Sequence, residues 1–129
     1  MSKFFSTYKV IFYVINFLLI ILYLYPGSLL GWIIYDNKSI QPQITPDFVI
    51  SSNHFYVFVL ISIIGFLTFV KKNILLLLYL IFLSITLEIF HLFIPERTFQ
   101  WSDLFGNLLG VIVVILLNNF INKYGRFKK

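Results

Sequence analysis

The sequence predicts an all-α integral-membrane protein, a bundle of four transmembrane helices with both termini in the cytoplasm. Three observations support this fold class. First, 60% of the 129 residues are hydrophobic and only 12% are charged, whereas soluble domains carry roughly a quarter charged residues. Second, the apolar residues are grouped into four long runs. Third, the basic residues are concentrated on one side of the predicted bundle. The length fits a single domain, residues 1–129.

The four apolar runs define the predicted helices. They cover residues 8–25, 50–70, 74–94 and 103–121, with an outer loop over residues 26–49. Crossing the hydrocarbon core takes about 20 helical residues, with a range of roughly 17 to 25. Each run is long enough, and Pro26, the pair Lys71-Lys72 and Pro95 mark the ends of the first three.

The basic residues set the predicted orientation. Eight of the ten lie on the side of the termini and of the turn between the second and third predicted helices: Lys3, Lys9, Lys71, Lys72, Lys123, Arg126, Lys128 and Lys129. The opposite side holds only Lys38 and Arg97. Because cytoplasmic loops are enriched in Lys and Arg, this predicts a multi-pass protein of the plasma (inner) membrane with both termini cytoplasmic. The net charge of +5 then indicates membrane lipids as partners, not nucleic acid.

Polar residues within the predicted spans mark a candidate site. Glu88 lies about 21 Å along its helix from Ile74 at 1.5 Å per residue, in the outer third of the bilayer, and His91 follows on the same face. Ionisable groups in lipid are costly and usually face the bundle interior. We therefore expect the following residues to converge beneath the outer loops, with Arg97 above them: His54, Glu88, His91, Asp103 and Asn107. Asn53 then faces the same pocket.

The motifs of this region resemble the VanZ-like family of small integral-membrane proteins. The resemblance rests on "NHF" (His54), "EIFH" (Glu88, His91), "PERTFQWSD" (Arg97) and "DLFGNLLG" (Asp103), and covers about residues 47–114. It implies a four-helix protein of the cell envelope, in a family named after a factor that raises resistance to the glycopeptide teicoplanin. Two departures are Ile50-Ser51, where the family often has Asp-Lys, and His91, where it has Gln.

The predicted roles follow from these residue types. His54, Glu88 and Asp103 are the hypothetical catalytic groups, and the binding residues are His91, Arg97, Asn107, Asn53 and Trp101. A metal site would use the i, i+3 pair Glu88 and His91 together with His54. Because the family usually has Gln, a poor metal ligand, at position 91, we expect no metal and no cofactor.

Three functional classes remain open from the sequence. The outer pocket binds or modifies a lipid headgroup, a lipid-linked glycan or a glycopeptide; the chain is an enzyme proper; or it is a non-catalytic subunit of a larger membrane complex. The last class would use the G-x-x-x-G face of Gly106 and Gly110, which permits close helix approach. Structural alternatives also stay open. Asn16 suits an interhelical hydrogen bond, and Glu88 suits a pairing with Arg97 or a histidine.

Overall fold

The structure is a computed structural model that describes residues 2–125, with side chains described for residues 7–71 and 73–125. This part of the chain is helical and contains no strand. The helices are α1 (Ser2–Leu24), α2 (Leu29–Tyr35), α3 (Ser52–Thr68), α4 (Asn73–Phe90) and α5 (Trp101–Gly125), with a 3-10 turn at Val70–Lys72. The all-α prediction is confirmed for the described residues.

Three of these helices are long and apolar enough to cross a membrane. They are Thr7–Leu24, Asn73–Phe90 and Trp101–Gly125, with mean hydropathies of 2.0, 2.2 and 2.2. The remaining apolar helix, α3, has 17 residues. At 1.5 Å per residue it is about 26 Å long, which is shorter than the ~30 Å hydrocarbon core. These three long apolar helices identify the chain as a membrane protein.

The helix ends differ from the predicted bounds. The helix predicted over residues 8–25 begins earlier, at Ser2, and the helix predicted over 103–121 ends later, at Gly125. The reason is that hydropathy marks the part of a helix that crosses the hydrocarbon core and not where the helix ends. The predicted helix 50–70 is shortened to Ser52–Thr68, and 74–94 ends early, at Phe90. There the backbone tightens into i→i+3 bonds, beginning with the His91 amide that donates to the Glu88 carbonyl at 3.2 Å. Arg126, Lys128 and Lys129, used for the predicted orientation, lie outside the described residues.

The segment between α1 and α3 is fastened to the first turn of α3. The Asn53 amide group accepts from the Ile44 N–H at 2.8 Å and donates to the Pro42 carbonyl at 2.7 Å. The Ser52 hydroxyl accepts from the Thr45 N–H at 3.0 Å. These bonds satisfy N–H and C=O groups in a segment without regular structure. They also hold it against the end of the bundle where α3 begins.

The main packing contact joins α3 to α5, and α1 and α4 pack beside this pair. Phe58, Ile61, Leu80 and Val111 are completely buried where the helices meet. On α5 the two glycines face α3. A Cβ at Gly106 would lie 2.7 Å from the Ser51 carbonyl oxygen, and a Cβ at Gly110 would lie 2.7 Å from that of Phe55. In the structure, α3 of the same chain packs against the Gly106 and Gly110 face, which the subunit alternative would use for another membrane protein.

Replacing Gly110 with alanine is expected to destabilise the protein. The new methyl group would meet the backbone of α3, which cannot rotate away, and overpacking of this kind costs about 1–3 kcal/mol. Gly125→Ala is the matched control, because nothing in the described part of the chain lies within 4 Å of a Cβ built there. Thermal unfolding in detergent should show a lower midpoint for Gly110→Ala and an unchanged or slightly higher one for Gly125→Ala. Equal midpoints would contradict the close α3–α5 contact.

Candidate functional site

The polar residues of the helices meet at the end of the bundle where α1 and α4 end and α3 and α5 begin. His54 lies in the first turn of α3, Glu88 in the last turn of α4, and Asp103 in the first turn of α5. Asn107 follows one turn after Asp103. Glu88 and Asn107 have no exposed surface, and His54 and Asp103 are 9% and 5% exposed. The structure thus brings together the residues that the sequence placed on separate helices.

His54 and Asp103 face each other across α3 and α5. The Nε2 atom of His54 lies 3.6 Å from the Asp103 Oδ2 atom, which is too long for a hydrogen bond. On the other side of the ring, Nδ1 lies 2.7 Å from the Ser51 hydroxyl. The Ser51 hydroxyl in turn donates to the Gln43 amide oxygen at 3.3 Å. The imidazole is therefore oriented by Ser51 and directs Nε2 towards Asp103.

Glu88 and His91 form a second pair, one turn apart on the chain. The His91 Nδ1 atom lies 3.3 Å from the Glu88 Oε1 atom, and Oε1 also accepts from the Gln100 N–H at 2.9 Å. The His91 Nε2 atom lies 3.1 Å from the Tyr23 carbonyl oxygen. Since a carbonyl oxygen only accepts, Nε2 carries the hydrogen of this bond. The Tyr23 carbonyl thus orients the His91 ring beside the Glu88 carboxyl group.

Tyr23 is a member of the cluster that the sequence analysis missed. Its hydroxyl donates to the Asn107 Oδ1 atom at 2.6 Å, and its ring lies edge-on to His54 and stacks on His91, with centroids 4.9 and 5.8 Å apart. No sequence signal distinguishes it, because tyrosine near the end of an apolar helix is typical of any membrane interface. Its hydrogen bond links α1 to α5.

Arg97 lies in the connection between α4 and α5 and binds the end of α1. Its Nε and Nη2 atoms donate to the carbonyl oxygens of Tyr25 and Leu22 at 3.3 and 3.4 Å. Burial lowers the pKa of the guanidinium from its ordinary value, and the negative charge of Asp103 opposes that shift. Among the described side chains, the carboxyl groups of the cluster lie beside the histidines and not beside Arg97. The alternative pairing of Glu88 with Arg97 is therefore not formed, and that with His91 is.

A cavity of about 200 Å³ lies beside the cluster. Its polar wall includes Arg97, His54, Asn53, Gln41 and Gln43, and its apolar wall includes Leu22, Leu29, Leu30 and Val57. Asn53 thus lines the cavity, as expected, while its amide group also holds the segment above α3. The cavity offers hydrogen-bonding groups and one permanent cation next to an apolar surface.

Trp101 is not brought into the cluster. Its side chain is 65% exposed, and its ring packs against Phe99 and Phe105 instead. Asn16 lies apart from the site as well, and its amide donates to the Tyr79 hydroxyl, joining α1 to α4 as the interhelical interpretation expects.

Comparison with known proteins gave no match. No protein-family model matches the chain, and no curated protein and no solved structure matches it. The resemblance to the VanZ-like family therefore stays a hypothesis based on its motif residues.

Tyr23→Phe is expected to lower the stability of the bundle. Among the described residues, Tyr23 is the only hydrogen-bond partner of the Asn107 amide group, whose Nδ2 atom is buried without a partner. Leaving a buried polar group unsatisfied costs about 1–3 kcal/mol. Tyr13→Phe is the control, because that side chain is 59% exposed. Thermal unfolding of the two variants should separate them clearly, and an unchanged midpoint for Tyr23→Phe would show that the bond contributes nothing.

Proposed function

We propose that the chain is a multi-pass cell-envelope protein of VanZ-like type whose cavity binds the polar headgroup of a lipid, a lipid-linked glycan or a glycopeptide. The observation that carries the proposal is the cavity itself, in which Arg97 and His54 face Leu29, Leu30 and Val57. An amphipathic ligand presents the same combination of a polar and an apolar part. The motif residues of the proposed family meet next to this cavity, which supports the assignment.

The chemistry of Arg97 favours an anionic group on the ligand. The guanidinium has five N–H donors in a planar fork that suits carboxylate and phosphate. Two of its nitrogens are engaged by the carbonyls at the end of α1, which fixes the orientation of the fork, and the remaining donors can bind a ligand. Lipid and lipid-linked glycan headgroups carry phosphate, so we favour these over an uncharged glycopeptide.

The proposed topology places this cavity on the outer side of the membrane. In it, α3 is the fourth membrane-crossing helix, despite its 17 residues, and both termini are cytoplasmic. The support is the distribution of cations along the chain. Lys9, Lys71 and Lys123 lie at the end of the bundle opposite the cluster, whereas Arg97 and Lys38 lie in the connections at the cluster's end.

A topology reporter tests this orientation. A reporter that is active only in the cytoplasm should give a signal when fused after Lys129, and a reporter that is active only outside should give none. A second fusion within the connection before α3, after Pro46, should give the opposite result, because that segment is proposed to face outwards. A cytoplasmic signal from the Pro46 fusion would place the cavity on the inner side and contradict the proposal.

The proposal includes two activities: the protein binds the ligand without changing it, or it binds the ligand and modifies it. His54 lines the cavity and lies in one cluster with Glu88 and Asp103. Imidazole and carboxyl groups are the side chains that most often transfer protons to or from a substrate. A purely non-catalytic subunit has less support, because the Gly106 and Gly110 face that would receive another protein is filled by α3. Incubation of the purified protein with a labelled lipid-linked glycan precursor separates binding from turnover.

Arg97→Lys is expected to weaken precursor binding although the charge is kept. An ammonium group cannot reproduce the fork, and one lost charged hydrogen bond is worth about 1.5–3 kcal/mol, which is roughly a tenfold or greater loss of affinity. Lys38→Gln is the control. It removes a cation from the same end of the molecule, where the amino group lies over the Tyr25 and Trp32 rings at 5.5 and 5.9 Å, and it should leave binding nearly unchanged. If the two variants behave alike, Arg97 does not bind the ligand.

A further inference from the structure

We propose that His54, Glu88 and Asp103 form a binding site for one divalent transition-metal ion. Each of the three residues offers one donor atom, and these atoms lie within 4.8 Å of one another. They come from three different helices, α3, α4 and α5. The metal site considered in the sequence analysis used His91, whereas here Asp103 takes its place as a ligand. The proposal also replaces the expectation that the chain binds no metal.

The spacing of His54 and Asp103 suits two ligands of one ion. Zinc binds histidine nitrogen and carboxylate oxygen at about 2.0–2.2 Å in a tetrahedral arrangement, which separates neighbouring donor atoms by about 3.4 Å. The observed separation of Nε2 and Oδ2 is 3.6 Å, too long for a direct hydrogen bond. One imidazole and two carboxylates form a mixed donor set of the kind that zinc and related divalent ions accept.

A second, independent observation is the state of the Glu88 carboxyl group. Glu88 has no exposed surface, and within the described part of the chain its buried Oε2 atom has no hydrogen-bond partner. A buried carboxylate oxygen without a partner is costly, and in native structures it signals a missing ion or water. No lysine or arginine nitrogen is paired with Glu88 or Asp103 among the side chains of residues 7–71 and 73–125. A divalent cation would supply both the missing contact and the compensating charge.

The neighbouring residues orient the three ligands. The Ser51 hydroxyl lies 2.7 Å from His54 Nδ1 and donates to Gln43, which holds the imidazole with Nε2 towards Asp103. The Glu88 Oε1 atom is held by the Gln100 N–H and by His91. Such supporting hydrogen bonds fix the histidine tautomer and the carboxylate orientation in metal sites. His54 also lines the cavity, which gives an ion a route to the site.

The test measures zinc binding directly and needs no lipid ligand, so its outcome is separate from that of the proposed function. The full-length protein is purified in detergent, stripped with a chelator and titrated with Zn²⁺ in competition with a chromophoric chelator. We expect one ion per chain. His54→Gln, Glu88→Gln and Asp103→Asn should each lower the affinity by about 100-fold or more, because loss of a supporting residue alone costs about 10–100-fold.

Two matched controls carry the same chemical changes outside the cluster. Glu96→Gln and Asp47→Asn alter exposed acids and should bind Zn²⁺ like the unmodified protein. Circular dichroism and size-exclusion chromatography establish whether each variant is folded. Binding that survives all three ligand substitutions, or that the controls abolish equally, would overturn the proposal.

X-ray absorption of the zinc-loaded unmodified protein decides the question even if a ligand variant fails to fold. We expect a shell of nitrogen and oxygen atoms at about 2.0–2.1 Å that includes the multiple-scattering signature of one imidazole. A shell without imidazole, or the absence of stoichiometric zinc, would show that the cluster is not a metal site.

Discussion

The contact between α3 and α5 through Gly106 and Gly110 is the constraint on which the polar cluster depends. Because neither glycine has a side chain, the backbone of α5 reaches the carbonyl groups of Ser51 and Phe55 at the start of α3. This close approach places His54 opposite Asp103 at 3.6 Å. A larger residue at either glycine would separate the two helices, and the imidazole and the carboxylate would no longer face the same space.

A second constraint is the carboxyl end of α1. The last carbonyl groups of any helix lack partners within the helix and carry a partial negative charge that favours cations. Here His91 binds the Tyr23 carbonyl, and Arg97 binds those of Leu22 and Tyr25. These bonds fasten the connection between α4 and α5 to α1. They thereby bring the Gln100 N–H over Glu88 and fix Arg97 beside the cavity.

The cluster is expensive for a protein of this composition. Two carboxyl groups, two imidazoles, an amide and a phenol are buried between apolar helices. Two of their polar atoms, Glu88 Oε2 and Asn107 Nδ2, have no hydrogen-bond partner among the described residues. A partly satisfied polar network is costly in an apolar surrounding. Water, a ligand or an ion would supply the missing partners.

The sequence by itself determined the helical membrane class, because long apolar runs depend only on composition and spacing. It also indicated that Glu88, His91, Asp103 and Asn107 would face inwards. Only the tertiary structure decided their partners. The early end of α4 at Phe90, the entry of Tyr23 and the exposure of Trp101 depend on how the connections fold over the helix ends. Neither apolar periodicity nor charge predicts how the connections fold over the helix ends. Backbone carbonyl groups at a helix end are the same in every sequence, and they gain hydrogen-bond partners only when another segment of the chain reaches them.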